Sequence, residues 1–261
     1  MIRRLSIFLV VILFTFISKA GTIFIDGNYQ GSNLLIQNPF SSSGIGFCVT
    51  EIRVNGEITT DEINSSAFEI DFEALGLEYG SKIEVVIKHK DNCKPKVINP
   101  EVLKPESTYL LNSIEVEKDV LIWKTTRETG ILPFKIEQYR WNKWVSVGEV
   151  DGKGTPDEHT YMFQIVAHSG ENRFRVKQID FTGKPRYSKD IRFKSGKPEI
   201  NFGPSKPKDE IIFTDDTMFE IYDAYGNIAK RGFGKKINIA NLSKGTYYIN
   251  YDNKSEEFQK K

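Results

Sequence analysis

Apolar and polar residues alternate along much of the chain in runs of about four to eight, the period-two pattern of β-strands that bury one face. In residues 82–89, Ile83, Val85 and Ile87 share one face, while charged side chains fall mostly on the other. Residues 171–180 alternate in the same way, with a basic face opposite an apolar one. Glycines and prolines separate these runs, and an aromatic content of 12% favours strands over helices. The pattern predicts an all-β protein.

The first 20 residues depart from this pattern and predict a secretory signal peptide. Arg3 and Arg4 precede an apolar run at 5–17, and a short segment with small residues follows, so cleavage is expected between Ala20 and Gly21. A membrane anchor is the alternative, but the run is shorter than the roughly 20 residues that a spanning helix needs. No cysteine follows the run, which argues against a lipoprotein, and no later stretch is apolar enough to span a bilayer as a helix.

Turn-forming residues and prolines divide the rest of the chain into three predicted β segments. Residues 21–118 and 119–198 each contain enough short strands for an immunoglobulin- or fibronectin-like β-sandwich. Residues 199–261 form a smaller β-domain, with a predicted core of five apolar residues: Phe219, Ile221, Ile239, Leu242 and Tyr247. Because a domain of about 60 residues has a marginal core, this one is expected to pack on the second sandwich.

The charge balance and the scarcity of reactive side chains argue against several classes of function. The chain has 36 basic and 35 acidic residues and a formal net charge of +1, whereas non-specific nucleic-acid binding relies on many phosphate contacts. Its three histidines lie far apart, and no nucleophile elbow or phosphate-binding loop occurs in the required context. We therefore expect no catalytic residue, no cofactor, no metal site, no small-molecule substrate and no nucleic-acid partner.

Cys48 and Cys93 are the only cysteines, and both lie in the first segment. In an oxidising extracytoplasmic compartment such a pair favours a disulfide, with two free thiols as the alternative. Cys48 falls in a predicted strand and Cys93 in the loop that follows another. A bridge between them would close a loop of about 45 residues and stabilise the segment.

Turn, strand and tail residues of the third segment together form a motif. It consists of an Asp-x-x-Gly turn after an apolar strand, a further apolar run, a Gly-x-Tyr strand start and a basic tail: Tyr222, Asp223, Gly226, Leu242, Gly245, Tyr247, Lys260 and Lys261. With these residues the segment resembles the C-terminal sorting domain of Bacteroidetes type IX secretion. The family domain usually opens with Asn-Pro, whereas the pair here is Gly203-Pro204.

Two further resemblances concern the preceding segments. The second segment resembles the fibronectin-like module that often precedes the sorting domain, and residues 93–105 are similar to a periplasmic plug subunit of the type IX translocon. These resemblances imply two alternative roles. As a plug, the protein would stay in the periplasm at the inner side of the outer membrane, bind the translocon barrel and keep residues 199–261. As exported cargo, it would lose residues 199–261 by proteolysis and reach the cell surface.

Overall fold

The computed structural model describes residues 21–42, 44–59, 61 and 63–261. The predicted signal peptide lies outside these described residues. The chain divides into two compact units, Met1–Leu103 and Lys104–Lys261. Apart from one short 3₁₀ helix, Pro100–Leu103, all regular elements of the described chain are strands, which confirms the all-β prediction. No helix in this part of the chain is long and apolar enough to cross a membrane.

The first unit is built from two antiparallel sheets around one core. Its described strands are β1 (Gly21–Asn28), β2 (Leu34–Gln37), β3 (Val49–Val54), β4 (Glu57–Ile58), β5 (Ala67–Ile70), β6 (Lys82–His89) and β7 (Lys96–Val97). One sheet has the order β1-β6-β3-β4 and the other the order β5-β2-β7. Ile83, Val85 and Ile87 of β6 face the core as their alternation predicts, and they pack with Leu34 and Ile36 of the other sheet.

The unit Lys104–Lys261 begins with a second β-sandwich. Its strands are β8 (Leu110–Glu117), β9 (Val120–Thr126), β10 (Pro133–Arg140), β11 (Lys143–Asp151), β12 (His159–Gln164), β13 (Gly170–Ile179), β14 (Pro185–Tyr187) and β15 (Ile191–Ser195). One sheet has the order β11-β10-β13-β14, with β15 also paired to β13, and the other has the order β12-β9-β8. Trp123, Phe134 and Phe174 are fully buried between the two sheets.

Strand β8 belongs to this second sandwich, so the predicted boundary between 21–118 and 119–198 is wrong. The prediction placed residues 109–116 in the first sandwich, but β8 pairs along its length with β9. Lys118 and Asp119 form the two-residue turn between these strands, with φ angles of 46° and 64°. Such turns require two positive φ angles and favour asparagine and glycine. Because Lys-Asp is not a favoured pair, the hairpin was not apparent from the sequence.

The C-terminal domain, residues 199–261, packs within the same unit as the second sandwich. Its strands are β16 (Phe202–Gly203), β17 (Glu210–Tyr222), β18 (Ile228–Asn238), β19 (Gly245–Tyr251) and β20 (Lys254–Lys260). The sheet has the order β16-β17-β19-β20, and β18 pairs with the long strand β17. The predicted core residues Phe219, Ile221, Ile239 and Tyr247 are buried, and Leu242 packs against them partly buried.

Candidate functional site in the C-terminal domain

The motif turn connects β17 to β18 and is held by Asp223. Asp223 Oδ1 accepts hydrogen bonds from the N–H groups of Tyr225 and Asn227, both at 2.9 Å. Asp223 Oδ2 accepts another from Asn227 Nδ2 at 3.0 Å, and these bonds hold the pKa of Asp223 below its usual range. Gly226 has a φ of +83°, a left-handed conformation that glycine adopts readily. The Asp-x-x-Gly spacing therefore builds a tight hairpin connection.

Leu242, Gly245 and Tyr247 shape the segment that leads into β19. Leu242 packs against the domain core, and Gly245 begins β19 with a φ of +151°. The Tyr247 hydroxyl donates to the Ser243 carbonyl at 3.1 Å, and its ring stacks on Phe258 of β20 with centroids 5.5 Å apart. These motif residues thus stabilise the fold of the C-terminal domain.

The basic end of the chain is built into the C-terminal domain. β20 pairs along its whole length with β19. On its other side the Gln259 N–H donates to the Ser205 carbonyl at 3.4 Å, and the Lys261 N–H donates to the Pro207 carbonyl at 3.1 Å. Lys260 is only 8% exposed. Of the two lysines predicted as a basic tail, Lys261 alone presents an exposed side chain.

The C-terminal domain contacts the second sandwich at Trp141. Trp141 and Asn142 form the two-residue turn between β10 and β11, with φ angles of 52° and 59°. A left-handed conformation costs a residue with a side chain roughly 1–2 kcal/mol. The indole is nevertheless buried, and its Nε1 donates to the Tyr251 carbonyl at 3.3 Å. The Trp141 N–H also donates to Asn253 Oδ1 at 3.3 Å. These contacts with the C-terminal domain offset the strain of the turn.

Asp252, which is 1% exposed, ties three segments together. Its carboxylate accepts hydrogen bonds from the N–H and the hydroxyl of Ser169, which follows β12 in the second sandwich. The same carboxylate accepts a bond from the N–H of Ile200, just before β16, at 3.2 Å. The Asp252 N–H donates to Thr217 Oγ1 at 3.0 Å. One buried side chain therefore binds the sandwich and the start of the C-terminal domain to the β19–β20 turn.

Lys143 of β11 forms an ion pair with the C-terminal domain. Its Nζ donates to Glu220 Oε2 at 2.7 Å and to the Tyr222 hydroxyl at 2.9 Å. Burial alone would raise the pKa of Glu220, but the hydrogen bonds from Lys143 and Tyr222 outweigh it and lower that pKa. The motif residue Tyr222 therefore lies in the contact with the second sandwich. We call the contacts of Trp141, Asp252 and Lys143 between the second sandwich and the C-terminal domain the joint.

Arg140 lies beside Trp141 with much of its hydrogen-bonding capacity unused. It is 2% exposed, and its Nε and Nη1 have no hydrogen-bond partner within the described chain. The guanidinium lies 5.2 Å from the centroid of the Trp141 ring. Burial lowers the pKa of Arg140 to about 10, although the charges of Asp252 and Glu220 act in the opposite direction. A buried charge with two such unpaired nitrogens is unfavourable, so Arg140 is a destabilising group beside the joint.

The joint is not apparent from the sequence. Trp141 and Tyr251 are 110 positions apart, and no short motif connects them. The available local signal was the pair Trp141-Asn142 between two alternating runs, which fits a hairpin turn only through its asparagine. Tryptophan at a left-handed position is rare, and such an outlier points to a contact made elsewhere in the fold.

The cysteines belong to the first unit of the chain, and the residues of the joint belong to the second. Cys48 and Cys93 form the predicted disulfide, with Cα atoms 5.8 Å apart. At the predicted signal cleavage site, Ala20 lies outside the described residues and Gly21 is the first residue of β1. In the part of the chain that the structure describes, no group of three or more His, Cys, Asp or Glu side chains is arranged to hold a metal ion.

The basic face predicted for residues 171–180 is covered by aromatic rings. The Arg175 guanidinium lies 4.1 Å from the Trp144 ring centroid and 4.0 Å from that of Tyr187. Arg175 and Lys177 each form an ion pair of 2.7 Å with the Glu137 carboxylate. Both cationic side chains are only 19% exposed. The basic side chains of this face are therefore stacked on aromatic rings and paired with a carboxylate. They do not form a free basic patch.

Comparison with known proteins returned distant structural similarities. No curated protein matches the chain significantly. One solved structure is a tetra-tandem repeat in the extending region of a large adhesion protein, with 8% identity and a TM-score of 0.32, covering 93% of this chain and 75% of that one. Another is dimeric latent PorU from Porphyromonas gingivalis, with 12% identity and a TM-score of 0.22, covering 92% of this chain and 29% of that one. The full ectodomain of mouse nectin-like molecule 4 has 13% identity and a TM-score of 0.19, covering 92% of both chains. These low values support no statement about function.

The C-terminal domain has a family match. Residues 203–261 match the secretion system C-terminal sorting domain. The matched range contains all eight motif residues and strands β17 to β20, and it includes no strand of either sandwich. The protein is therefore extracytoplasmic and linked to type IX secretion through a C-terminal sorting domain.

Proposed function

We propose that the protein is cargo of the type IX system and carries its own export signal as the C-terminal domain. The match of residues 203–261 to the sorting domain carries this proposal. Two β-sandwiches precede the matched domain and would be the exported payload. In this role the chain passes through the outer-membrane translocon barrel, its protein partner during export, and the payload ends on the cell surface.

The segment before the C-terminal domain is suited to proteolytic separation. β15 ends at Ser195, and Ile200 is buried, whereas residues 196–199 are all exposed and carry no regular structure. Exposed segments of this kind are preferred sites of proteolytic cleavage. A cut there would separate the payload from its signal without breaking a strand of either domain.

The payload in this proposal acts by binding and not by catalysis. The two cysteines are joined in a disulfide, so neither is a free nucleophile. Arg175 and Lys177 of β13 are paired with Glu137 of the neighbouring strand β10. The sandwiches therefore serve as rigid frames whose loops contact other surfaces.

A periplasmic plug subunit of the translocon is the alternative, and the joint is the observation that favours it. Trp141, Lys143 and Ser169 hold the C-terminal domain on the second sandwich, as expected for a domain that is kept. The pair Gly203-Pro204 also departs from the usual Asn-Pro entry of the sorting domain. A plug would remain at the inner side of the outer membrane with the C-terminal domain in place.

A transfer experiment separates these two functions. Residues 199–261 are fused to a periplasmic reporter in a bacterium that has a type IX system, and the reporter outside the cell is quantified. A sorting signal carries the reporter out of the cell, and export stops in a strain whose type IX system is inactive. Reporter that stays in the periplasm of the active strain would contradict the cargo proposal. A fusion with Gly226→Val, in which a side chain strains the positive-φ turn, is the matched control and should be retained.

A further inference from the structure

A loop at one end of the first sandwich exposes apolar side chains. Phe40 is 61% exposed and Ile45 is 77% exposed. Phe47 is partly buried, and its ring packs against that of Phe40 with centroids 4.7 Å apart. The chain contains no charged residue at positions 27–50. This loop therefore presents an apolar tip, formed by Phe40, Ile45 and Phe47, directly to solvent.

The base of the loop is held firmly by covalent and polar contacts. Cys48 ends the loop and is bonded to Cys93. Asn38 at the other end is fully buried, and its Oδ1 accepts a hydrogen bond from the Val49 N–H at 2.9 Å. The Asn38 Nδ2 donates to the Ile63 carbonyl at 2.8 Å. Because the loop is held in place before any partner arrives, binding through its tip costs little ordering entropy.

One lysine contacts the loop that carries the apolar tip, and two more lie in the segment that the disulfide ties to this loop. Lys90 Nζ donates to the Ile45 carbonyl at 2.8 Å, which places its charge directly behind the tip. Lys94 and Lys96 follow in the segment that the disulfide ties to the loop, and both are exposed. Asp91 is the one acidic residue among them, so three lysines stand against one aspartate. The segment 90–96 therefore carries a net positive charge, which complements an anionic surface.

We propose that this tip docks the protein on a bilayer that contains anionic lipid. Phe40, Ile45 and Phe47 would enter the boundary between headgroups and acyl chains, and the lysines would contact lipid phosphates. Apolar side chains next to lysines are typical of surfaces that lie on a membrane without crossing it. A stable protein interface buries about 800 Å² on each partner, whereas three such side chains supply at most about 600 Å². A lipid surface thus fits the tip better than a protein partner, however the chain is exported.

Vesicle flotation with the full chain tests this proposal. Vesicles of phosphatidylcholine with about 30% phosphatidylglycerol are compared with pure phosphatidylcholine, because a basic segment binds the anionic surface more strongly. The wild type is expected to float with the anionic vesicles, and less of it should do so in about 0.5 M salt, which screens the lysines. The Phe40→Ser/Ile45→Ser variant should bind at least about ten-fold less, because it loses the apolar insertion. The Lys94→Glu/Lys96→Glu variant should lose its preference for anionic vesicles.

Phe24 of β1 offers a matched control. It is a 71% exposed phenylalanine of the same unit, and Phe24→Ser should leave vesicle binding unchanged. The melting temperature of each variant checks that the sandwich is folded. Absence of wild-type flotation, or equal flotation of Phe40→Ser/Ile45→Ser, would overturn the proposal. Loss of self-association or of protein binding in that variant, with vesicle binding intact, would assign the tip to a protein partner and also overturn it.

Discussion

The indole Nε1 of Trp141 donates a hydrogen bond to the Tyr251 carbonyl at 3.3 Å and thereby joins a strained turn of the second sandwich to the C-terminal domain. Tyr251 is 1% exposed and belongs to the core of that domain. The contact therefore connects the turn to a rigid part of the signal and not to its periphery. For the C-terminal domain to leave the payload, this contact must open.

Trp141→Ala should weaken the docking of the C-terminal domain while both folds persist. Loss of a buried tryptophan costs about 3–5 kcal/mol, and alanine keeps the Cβ, so the left-handed strain of the turn remains. This loss should speed hydrogen exchange of the Ser169 and Ile200 amides, both bonded to Asp252, and speed proteolysis at 196–199. Hydrogen exchange and limited proteolysis measure these effects.

Tyr225→Ala is the control for this change, because Tyr225 is a 91% exposed aromatic residue in the β17–β18 turn. It should leave exchange at the joint and proteolysis at 196–199 as in the wild type. If Trp141→Ala behaves like this control, Trp141 does not hold the two domains together.

Glu220 should make the joint sensitive to acid. Its pKa in the folded state lies below the ordinary value of about 4.3. A carboxylate of this kind stabilises the fold above its unfolded pKa, and the stabilisation is lost as the pH falls through the folded pKa. The melting temperatures of the wild type and of Glu220→Gln should therefore differ most near pH 7. They should converge below about pH 4. Glu171→Gln, at an exposed position of β13, is the matched control. A Glu220→Gln difference that stays constant with pH would refute the coupling.

Arg140→Met should be neutral or stabilising, although it removes a buried charge. Arg140 Nε and Nη1 lack hydrogen-bond partners in the described chain, so an apolar side chain relieves a desolvation cost. Replacing a complete buried ion pair or triad with apolar residues is often neutral or stabilises a protein by about 1–4 kcal/mol, and Arg140 forms no ion pair within 4.0 Å in the described chain. Arg175→Met is the opposite case, since it breaks the ion pair with Glu137 and should destabilise the second sandwich. Chemical denaturation compares the two, and a loss above about 1 kcal/mol in Arg140→Met would mean that attraction to Asp252 and Glu220 outweighs the desolvation cost.

The disulfide should contribute substantially to the first unit. It closes a loop with a sequence separation of 45, for which the chain-entropy model gives roughly 4 kcal/mol. The Cys48→Ser/Cys93→Ser variant should therefore unfold the first unit at a lower urea concentration, with the unit Lys104–Lys261 unaffected. If the free energy of unfolding of the first unit falls by less than about 1 kcal/mol, the disulfide constrains the unfolded chain only slightly.

The sequence predicted what alternation and short turn motifs determine. The buried face of β6 and the Asp223–Gly226 turn follow from residues that are neighbours along the chain, so local patterns are sufficient. The hairpin turn at Lys118 was missed because Lys118 and Asp119 adopt left-handed conformations that their side chains disfavour. The joint was missed because its partners come from distant strands, and only the folded chain brings Asp252 to Ser169. Local propensity is overridden there by tertiary contacts.

The intact mass of the protein recovered from each cell fraction tests the cargo proposal most directly. We predict that the chain on the cell surface ends within 196–199 and lacks the C-terminal domain, while a precursor that extends to Lys261 is found inside the outer membrane. Trp141→Ala should be cut at the same segment, since it retains the whole signal. Recovery of the protein solely from the periplasm, with a mass that includes Lys261, would contradict the cargo proposal. It would support the role of a periplasmic plug subunit.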